Sequence, residues 1–379
     1  MNLLFSLFNY FPHGGQQRNC LRIAQKCAES GHKVTLYTRT WDGPKPKEIK
    51  IITLGCKGWT NASRNQNYIK DLIKEIDKGS FDGVIAFNKM PRLDLYFASD
   101  PCFKAKFQSA NKWLSRLTKR YRLYSNWEKA VFEKGQKTQI LLITDREIPL
   151  YQKFYKTEKE RFHLLPPNID KRQFTDEDKL NAHNTKRKEL SLSTSSTILL
   201  MVGSSYHTKG VDRAIKGLAA ISLIKEKKIH LVILGHGKAK KYKHLAKSLN
   251  VLELVHFLGG RNDVPEWMLA ANLLIHPARN ENTGTVLLEA MGNGLPLLVS
   301  AVCGYAFHVE KAKSGKIIPS PFSQKKFNGL LQEMVDSPHL SNWSEKGLNY
   351  AATEDLYSCH DTAYKLIEKF VTEKNHDSL

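Results

Sequence analysis

Short apolar runs alternate with longer segments of helical periodicity along almost the whole chain, and the series occurs twice. Apolar runs with few polar interruptions suit strands buried on both faces, as in a parallel sheet covered by crossover helices. In the first half, strands are predicted over 3–8, 33–38, 49–54, 83–87 and 140–144. In the second they are predicted over 197–203, 228–235, 255–258, 273–276, 296–300 and 316–318. The segment opening near Gln17 places Cys20, Leu21, Ile23, Ala24 and Cys27 at helical spacing. A chain of 379 residues is long enough for two domains, and the pair Pro166 and Pro167 makes a stiff, extended linker. The fold class is therefore α/β, with two successive Rossmann-like domains over 1–167 and 168–355. A C-terminal helix over about 356–374 is expected to pack back on the first domain. Two parallel sheets facing each other predict a central cleft at their carboxyl ends, where open α/β sheets bind ligands.

Several classes drop out. No run of about 18 apolar residues is present, so no membrane-spanning helix is expected. Residues 1–8 are apolar but lack a basic lead and a small-residue cleavage site, which suits a buried first strand better than a signal peptide. The six cysteines form no C-x-x-C pair, which suggests a reducing cytoplasm. The fourteen histidines show no metal-ligand spacing, so no metal or other cofactor is expected.

Charge narrows the partner. The sequence holds 58 basic and 37 acidic side chains, a net +21, and residues 1–167 carry 30 of the first and 15 of the second. Such an excess attracts nucleic acid, an anionic membrane surface or a phosphorylated substrate. No RNP, helix-turn-helix or zinc-finger pattern is present, so nucleic acid is not expected, and a basic nucleic-acid-binding protein is the distant alternative. Residues 103–137 concentrate ten basic side chains against Glu128 and Glu133. Among them Trp113, Leu117, Tyr121, Tyr124 and Trp127 are spaced by 4, 4, 3 and 3, which predicts an aromatic helical stripe beside a cationic face. That composition suits a helix in an anionic membrane interface. The same stripe could instead pack on its own domain, leaving the cations outside.

Three segments carry chemistry. Gly14 and Gly15 join the first strand to the first helix, where glycine lets backbone N–H groups approach a ligand; the spacing is not G-x-G-x-x-G, so no dinucleotide is implied. The segment VGSSYHTKGVD (202–212) opens the second domain in the same way and sets Lys209 at a loop-to-helix junction, where an ammonium suits a phosphate. The strongest signal is HPARNENTGTVLLEAMGNGLP (276–296). A strand ends at His276 and Pro277, then Thr283, Gly284, Thr285 and Val286 form a loop and helix start whose N–H groups suit an anion. Glu281 and Glu289 lie eight apart, so an i,i+4 contact does not explain both. They could accept hydrogen bonds from sugar hydroxyls on either side of the phosphates.

An E-x7-E pair in this setting resembles the signature of the family 4 retaining glycosyltransferases. The segments YFPHGGQQR (10–18), FNKMP (87–91), GRNDV (260–264), VCGY (302–305) and DLYS (355–358) extend the resemblance from residue 2 to about 365. They are similar to the branch of that family that builds the lipopolysaccharide core. The resemblance implies the GT-B fold and retaining transfer of α-glucose from UDP-glucose to an inner-core heptose. The acceptor would be heptosylated lipid A, and the location peripheral, on the cytoplasmic face of the inner membrane. Another UDP-hexose or a UDP-N-acetylhexosamine is the alternative donor.

The resemblance also implies roles. Glu289 would hold the ribose, Glu281 would approach the donor sugar, and Lys209 and Arg172 would pair with the diphosphate. Gly14 and Gly15 would lie under the donor phosphates, Arg261 to Val264 would cup the uracil, and Asp100 would lie near the reacting centre. Relatives commonly carry Asp where this chain has Asn19, and a basic residue where it has Thr208. Asn19 can hydrogen-bond but cannot act as a base.

Overall fold

Each alternating series closes into its own parallel sheet. The computed structural model describes the chain apart from residues 13, 56, 80, 109–113, 172, 223–228 and 377–379. One unit comprises Met1–Pro166 with Ser358–Leu379, the other Pro167–Tyr357. Among the described residues, the first unit carries β1 (Asn2–Tyr10), β2 (Lys33–Trp41), β3 (Lys50–Thr53), β4 (Gly83–Ala86), β5 (Leu95–Ala98), β6 (Gln139–Leu142) and β7 (Phe162–Leu164). Their order is β3-β2-β1-β4-β5-β6-β7, all parallel. The second unit carries β8 (Thr197–Val202), β9 (Ile229–Leu234), β10 (Val255–Gly259), β11 (Leu273–His276), β12 (Leu297–Ser300) and β13 (Gly315–Ile318). Its parallel order is β10-β9-β8-β11-β12-β13. Both sheets reverse direction beside their first strand, β1 against β4 and β8 against β11, which is the topological switch point of a Rossmann sheet.

Period-two alternation feeds two cores per sheet. On β1, Leu3, Phe5 and Leu7 pack with Cys20, Ile23 and Cys27 of helix α1 (Gly15–Glu29) and with Ala363, Ile367 and Val371 of the C-terminal helix Cys359–His376. Leu4 faces the other way, into a cluster with Tyr68 of α2 (Asn61–Asp77) and Trp127, Val131 and Phe132 of α3 (Lys119–Phe132). On β8, Ile198 and Leu200 enter one cluster and Leu199 and Met201 the other. The C-terminal helix is thus an integral layer of the first unit, with a His32–Glu368 contact (3.5 Å) and a Lys374–Asp94 ion pair (2.9 Å) flanking it.

The alternation missed two strands. β5, a fully buried LYFA, follows β4 with no helix between them, and β7 is a three-residue FHL too short to display a period, so neither stands out in the alternation. The predicted helical stripe is also broken: Leu114–Leu117 is a single 3-10 turn, and extended Thr118 starts α3 afresh, its hydroxyl accepting from the Tyr121 N–H at 3.1 Å. Trp113 lies outside the described residues. The remaining aromatics turn inward. Tyr121 lies 5.2 Å from Phe107, Tyr124 is 5.0 Å from Trp127, and Trp127 is buried 6.2 Å from Phe8. Outside remain Arg116, Lys119, Arg120 and Arg122, with Leu114 and Leu117 more than 60% exposed. Among the described residues no helix is long and apolar enough to cross a membrane.

Two buried histidines make the fold acid-sensitive. His308 Nδ1 lies 2.7 Å from the Tyr350 hydroxyl, and burial, with Lys311 nearby, pushes its pKa down to about 4. His360 lies 3.0 Å from Asn19 Oδ1, and burial, with Arg22 and Lys26 nearby, also pushes it down to about 4. A histidine with a depressed folded pKa takes its proton preferentially in the unfolded chain, so stability falls as pH drops below about 6.5 and the loss is complete near pH 4. Each site should cost about 3 kcal/mol across that window. Urea unfolding at pH 7 and pH 4 should show the fall, and His360→Gln should remove its share; pH-independent midpoints would contradict it.

Candidate active site

The loops after β8 and β11 diverge at the switch point of the second unit, and the chemistry-bearing side chains lie on them. Gly203 follows β8, and Lys209 closes a one-turn helix, Tyr206–Lys209, that ends on left-handed Gly210. The lysine stem crosses Gly203 so closely that a Cβ there would sit 2.8 Å from Lys209 Cε. Its ammonium pairs directly with the Glu281 carboxylate. His276, fully buried at the end of β11, places Nε2 3.3 Å from the same Glu281 oxygen. Burial alone would raise the Glu281 pKa, but the His276 hydrogen bond and the Lys209 charge hold it down at about 2. Burial keeps His276 neutral by lowering its pKa, so its Nε2–H donates to Glu281.

A glycine-built clamp holds the Glu281 loop. Gly284, at φ +89°, turns the chain into the helix Thr285–Gly292, and no side-chain hydrogen bond caps that helix. Its first N–H groups, at Thr285 and Val286, are those a helix cannot satisfy internally. Tyr305 N–H donates to the Thr283 carbonyl at 2.7 Å, and Glu281 bridges Cys303. Gly304 permits this approach, since a Cβ there would meet the Asn282 carbonyl oxygen at 1.9 Å. Along the helix Leu287, Leu288, Ala290 and Met291 are buried, whereas Thr285, Val286 and Glu289 are half-buried on the opposite face. Glu289 therefore shares its face with the helix start.

The other predicted residues separate into two groups. Arg261 is committed inside the second unit: its guanidinium bonds Asp263 (2.7 and 2.6 Å) and Glu189 (2.9 Å), while Lys186 also reaches Asp263 at 2.5 Å. Val264 begins the next helix, Val264–Ala270. Arg279, unremarked in the sequence, binds Asp212 through two bonds of 2.8 and 2.6 Å, and its N–H donates to the Thr208 carbonyl. Gly14, Gly15, Asn19 and Asp100 belong to the first unit. Gly14 caps α1, Gly15 opens on space that would admit a Cβ, and Asn19 is occupied by His360. Asp100 is exposed just beyond β5. Arg172 lies outside the described residues. Among those residues no group of three or more His, Cys, Asp or Glu side chains could hold a metal ion.

Two Rossmann sheets, the second carrying an E-x7-E pair around a glycine-started helix, define a glycosyltransferase of the GT-B fold. The chain belongs to the glycosyl transferases group 1 family, whose model matches residues 183–350. It is 42% identical over 368 residues to the lipopolysaccharide glucosyltransferase WaaG of Escherichia coli (strain K12), covering 97% of this chain and 98% of the relative. The crystal structure of WaaG, a glycosyltransferase involved in lipopolysaccharide biosynthesis, aligns with a TM-score of 0.87 at 40% identity, over 96% of this chain and 99% of that one. Anabaena HepE, solved with UDP and glucose, shares the fold at 16% identity with a TM-score of 0.73, over 97% and 99% of the two chains.

Sequence reasoning passed over His276 and Gly304 as chemistry, although HP and VCGY stood in the segments that carried the resemblance. Lys209→Met should raise the Glu281 pKa by at least one unit from about 2, as followed by carboxyl NMR titration. An unmoved value would mean that His276 alone holds the charge.

Proposed function

We propose that the protein transfers α-glucose from UDP-glucose, with retention, to an inner-core heptose of heptosylated lipid A. The observation that carries this reading is the Lys209–Glu281 pair beside the uncapped start of the Thr285–Gly292 helix. Full-length similarity to WaaG supports both the donor and the lipopolysaccharide acceptor.

Leaving-group charge dictates the division of labour. Breaking the anomeric C–O bond leaves an oxocarbenium-like sugar and puts negative charge on departing UDP. Lys209 exchanges Glu281 for the diphosphate, and the Thr285 and Val286 N–H groups meet the same anion. Each such donor is worth roughly 3 kcal/mol, or 10²–10³-fold in rate. Glu281, ionised at any physiological pH, is then available to the sugar hydroxyls, and Glu289 to the ribose. With the Arg261 side chain engaged elsewhere, contact with the uracil falls to the backbone of that turn and to Val264. Retention is assigned to front-face attack: the acceptor oxygen bonds to the anomeric carbon on the face UDP leaves, and a donor phosphate oxygen takes its proton. No protein nucleophile is assigned, Asn19 least of all. Neutralisation is assigned to protein groups rather than to a metal, so activity should survive a chelator.

The basic face of residues 103–137 is assigned to the anionic inner face of the cytoplasmic membrane. The cations Arg116, Lys119, Arg120 and Arg122, with exposed Leu114 and Leu117, form the contact, while the aromatics stay with their own unit. Each Lys or Arg near an anionic leaflet is worth about 1 kcal/mol, enough together for reversible attachment.

Lys209→Ala should lower turnover at least tenfold, and a wild-type rate would break the diphosphate assignment. Glu289→Ala should weaken UDP binding by calorimetry. A panel of UDP- and ADP-sugars with linkage analysis of the product should select UDP-glucose; preference for UDP-N-acetylhexosamine would replace the donor. Neutralising Arg116, Lys119, Arg120 and Arg122 together should release the protein from vesicles containing anionic lipid, and undiminished sedimentation with them would remove the membrane assignment.

A further inference from the structure

The first unit holds a cavity of about 250 Å³ at the carboxyl ends of β1, β4 and β5. Phe8, Lys89, Asp100, Lys106, Arg120 and Trp127 line it. Three cations and one carboxylate face a space with room for about one sugar residue, smaller than the 300–1,000 Å³ of a drug-sized pocket.

Lys89 is the part that a solvated basic surface would not contain. Its side chain is only 11% exposed, and its ammonium donates to the fully buried Glu128 at 2.5 Å and to the Pro101 carbonyl at 3.1 Å. An ammonium has three hydrogens, and the third has no hydrogen-bond partner among the described residues. Glu128 cannot supply more. Its carboxylate already accepts from the N–H groups of Phe103 (2.6 Å) and Lys104 (3.0 Å) and from the Tyr155 hydroxyl (2.8 Å). Burying a charge pair is expensive, and breaking one is more so. This pair fixes both Lys89 and the loop after β5 that forms the cavity rim.

The other walls suit a saccharide. Phe8, Phe103, Tyr124 and the largely buried Trp127 make one wall aromatic, with Tyr124 edge-on to Trp127 at 5.0 Å and Phe8 tilted against it at 6.2 Å, an apolar surface for the C–H face of a sugar. Asp100 makes no hydrogen bond or ion pair with the described residues through its carboxylate, and a carboxylate is an acceptor for sugar hydroxyls. Lys106 and Arg120 then exceed what a neutral sugar needs.

We propose that this cavity is a subsite for an acidic sugar residue of the acceptor, its ring against the aromatic wall, its hydroxyls on Asp100, and its phosphate or carboxylate on Lys89, Lys106 and Arg120. The inference rests on the acceptor being a saccharide, as in the proposed function. It makes the acid group, rather than the heptose alone, a determinant of acceptor choice.

The test uses the full-length protein and a de-O-acylated, water-soluble acceptor, so that membrane attachment plays no part. The double variant Lys106→Gln and Arg120→Gln should raise the acceptor KM at least tenfold while the UDP-glucose KM and acceptor-free donor hydrolysis stay at wild-type values. A charge-matched control, Lys74→Gln on α2 with Lys78→Gln just beyond its end, should leave the acceptor KM unchanged. If hydrofluoric acid treatment of the acceptor abolishes the difference between wild type and the double variant, the recognised group is phosphate; if amidation of carboxyls does so, it is carboxylate. An unchanged acceptor KM in the double variant overturns the subsite. Binding of glucose 6-phosphate as an acidic-sugar probe, measured by calorimetry, separates the subsite from the transfer reaction. Wild type should bind it at least tenfold more tightly than the double variant, and glucose should bind neither. Equal binding of the phosphate ester to both proteins overturns the subsite, whereas absent transfer with intact probe binding would overturn only the transferase reading.

Discussion

In a parallel sheet every strand delivers its carboxyl end to the same edge, and where strand order reverses two neighbouring loops must part. That constraint places the chemistry of this protein. In the second unit the loop after β8 brings Lys209 and the loop after β11 brings Glu281, and the two charges meet because β8 and β11 are neighbours. In the first unit the end of β1 and the loop after β4 bring Phe8 and Lys89 to one cavity. The same strand order has been used twice, once around a carboxylate held by a lysine and once around a lysine held by a carboxylate.

Both charge pairs depend on backbone that has no freedom to relax. Gly304 and Gly284 fix the Glu281 loop by close approach and by a left-handed turn. Glu128 plays the corresponding part in the first unit through side-chain bonds to the Phe103 and Lys104 N–H groups. The rigid elements are the carboxyl ends of the strands, and Lys89, Glu281 and Lys209 lie three, five and seven residues beyond them.

Long periodic elements were legible in the sequence because burial on both faces leaves a continuous apolar run, as in β1 and β8. All six strands of the second unit could be read this way. β5 and β7 could not: β5 follows β4 with no helix between them to set it apart, and the three residues of β7 contain no period. The spacing of Trp113 to Trp127 suggested one helix, but spacing cannot see a threonine cap in mid-run. Within the site, Lys209 and Glu281 were legible as chemistry but not as partners, since 72 residues separate them. The Arg261–Val264 segment was read as a cup for the uracil; that Asp263 and Glu189 engage the Arg261 guanidinium is an interaction that residue type alone does not reveal.

The Lys209–Glu281 pair also bears on what the site would ignore. A cation already neutralised by its own carboxylate presents little field to a passing chloride or inorganic phosphate. Only a ligand that satisfies both partners at once, anion for the lysine and hydroxyls for the glutamate, recovers the energy lost in separating them. Under the proposed function the pair would thus favour molecules that join a phosphate to a sugar, before any contact with the base is made.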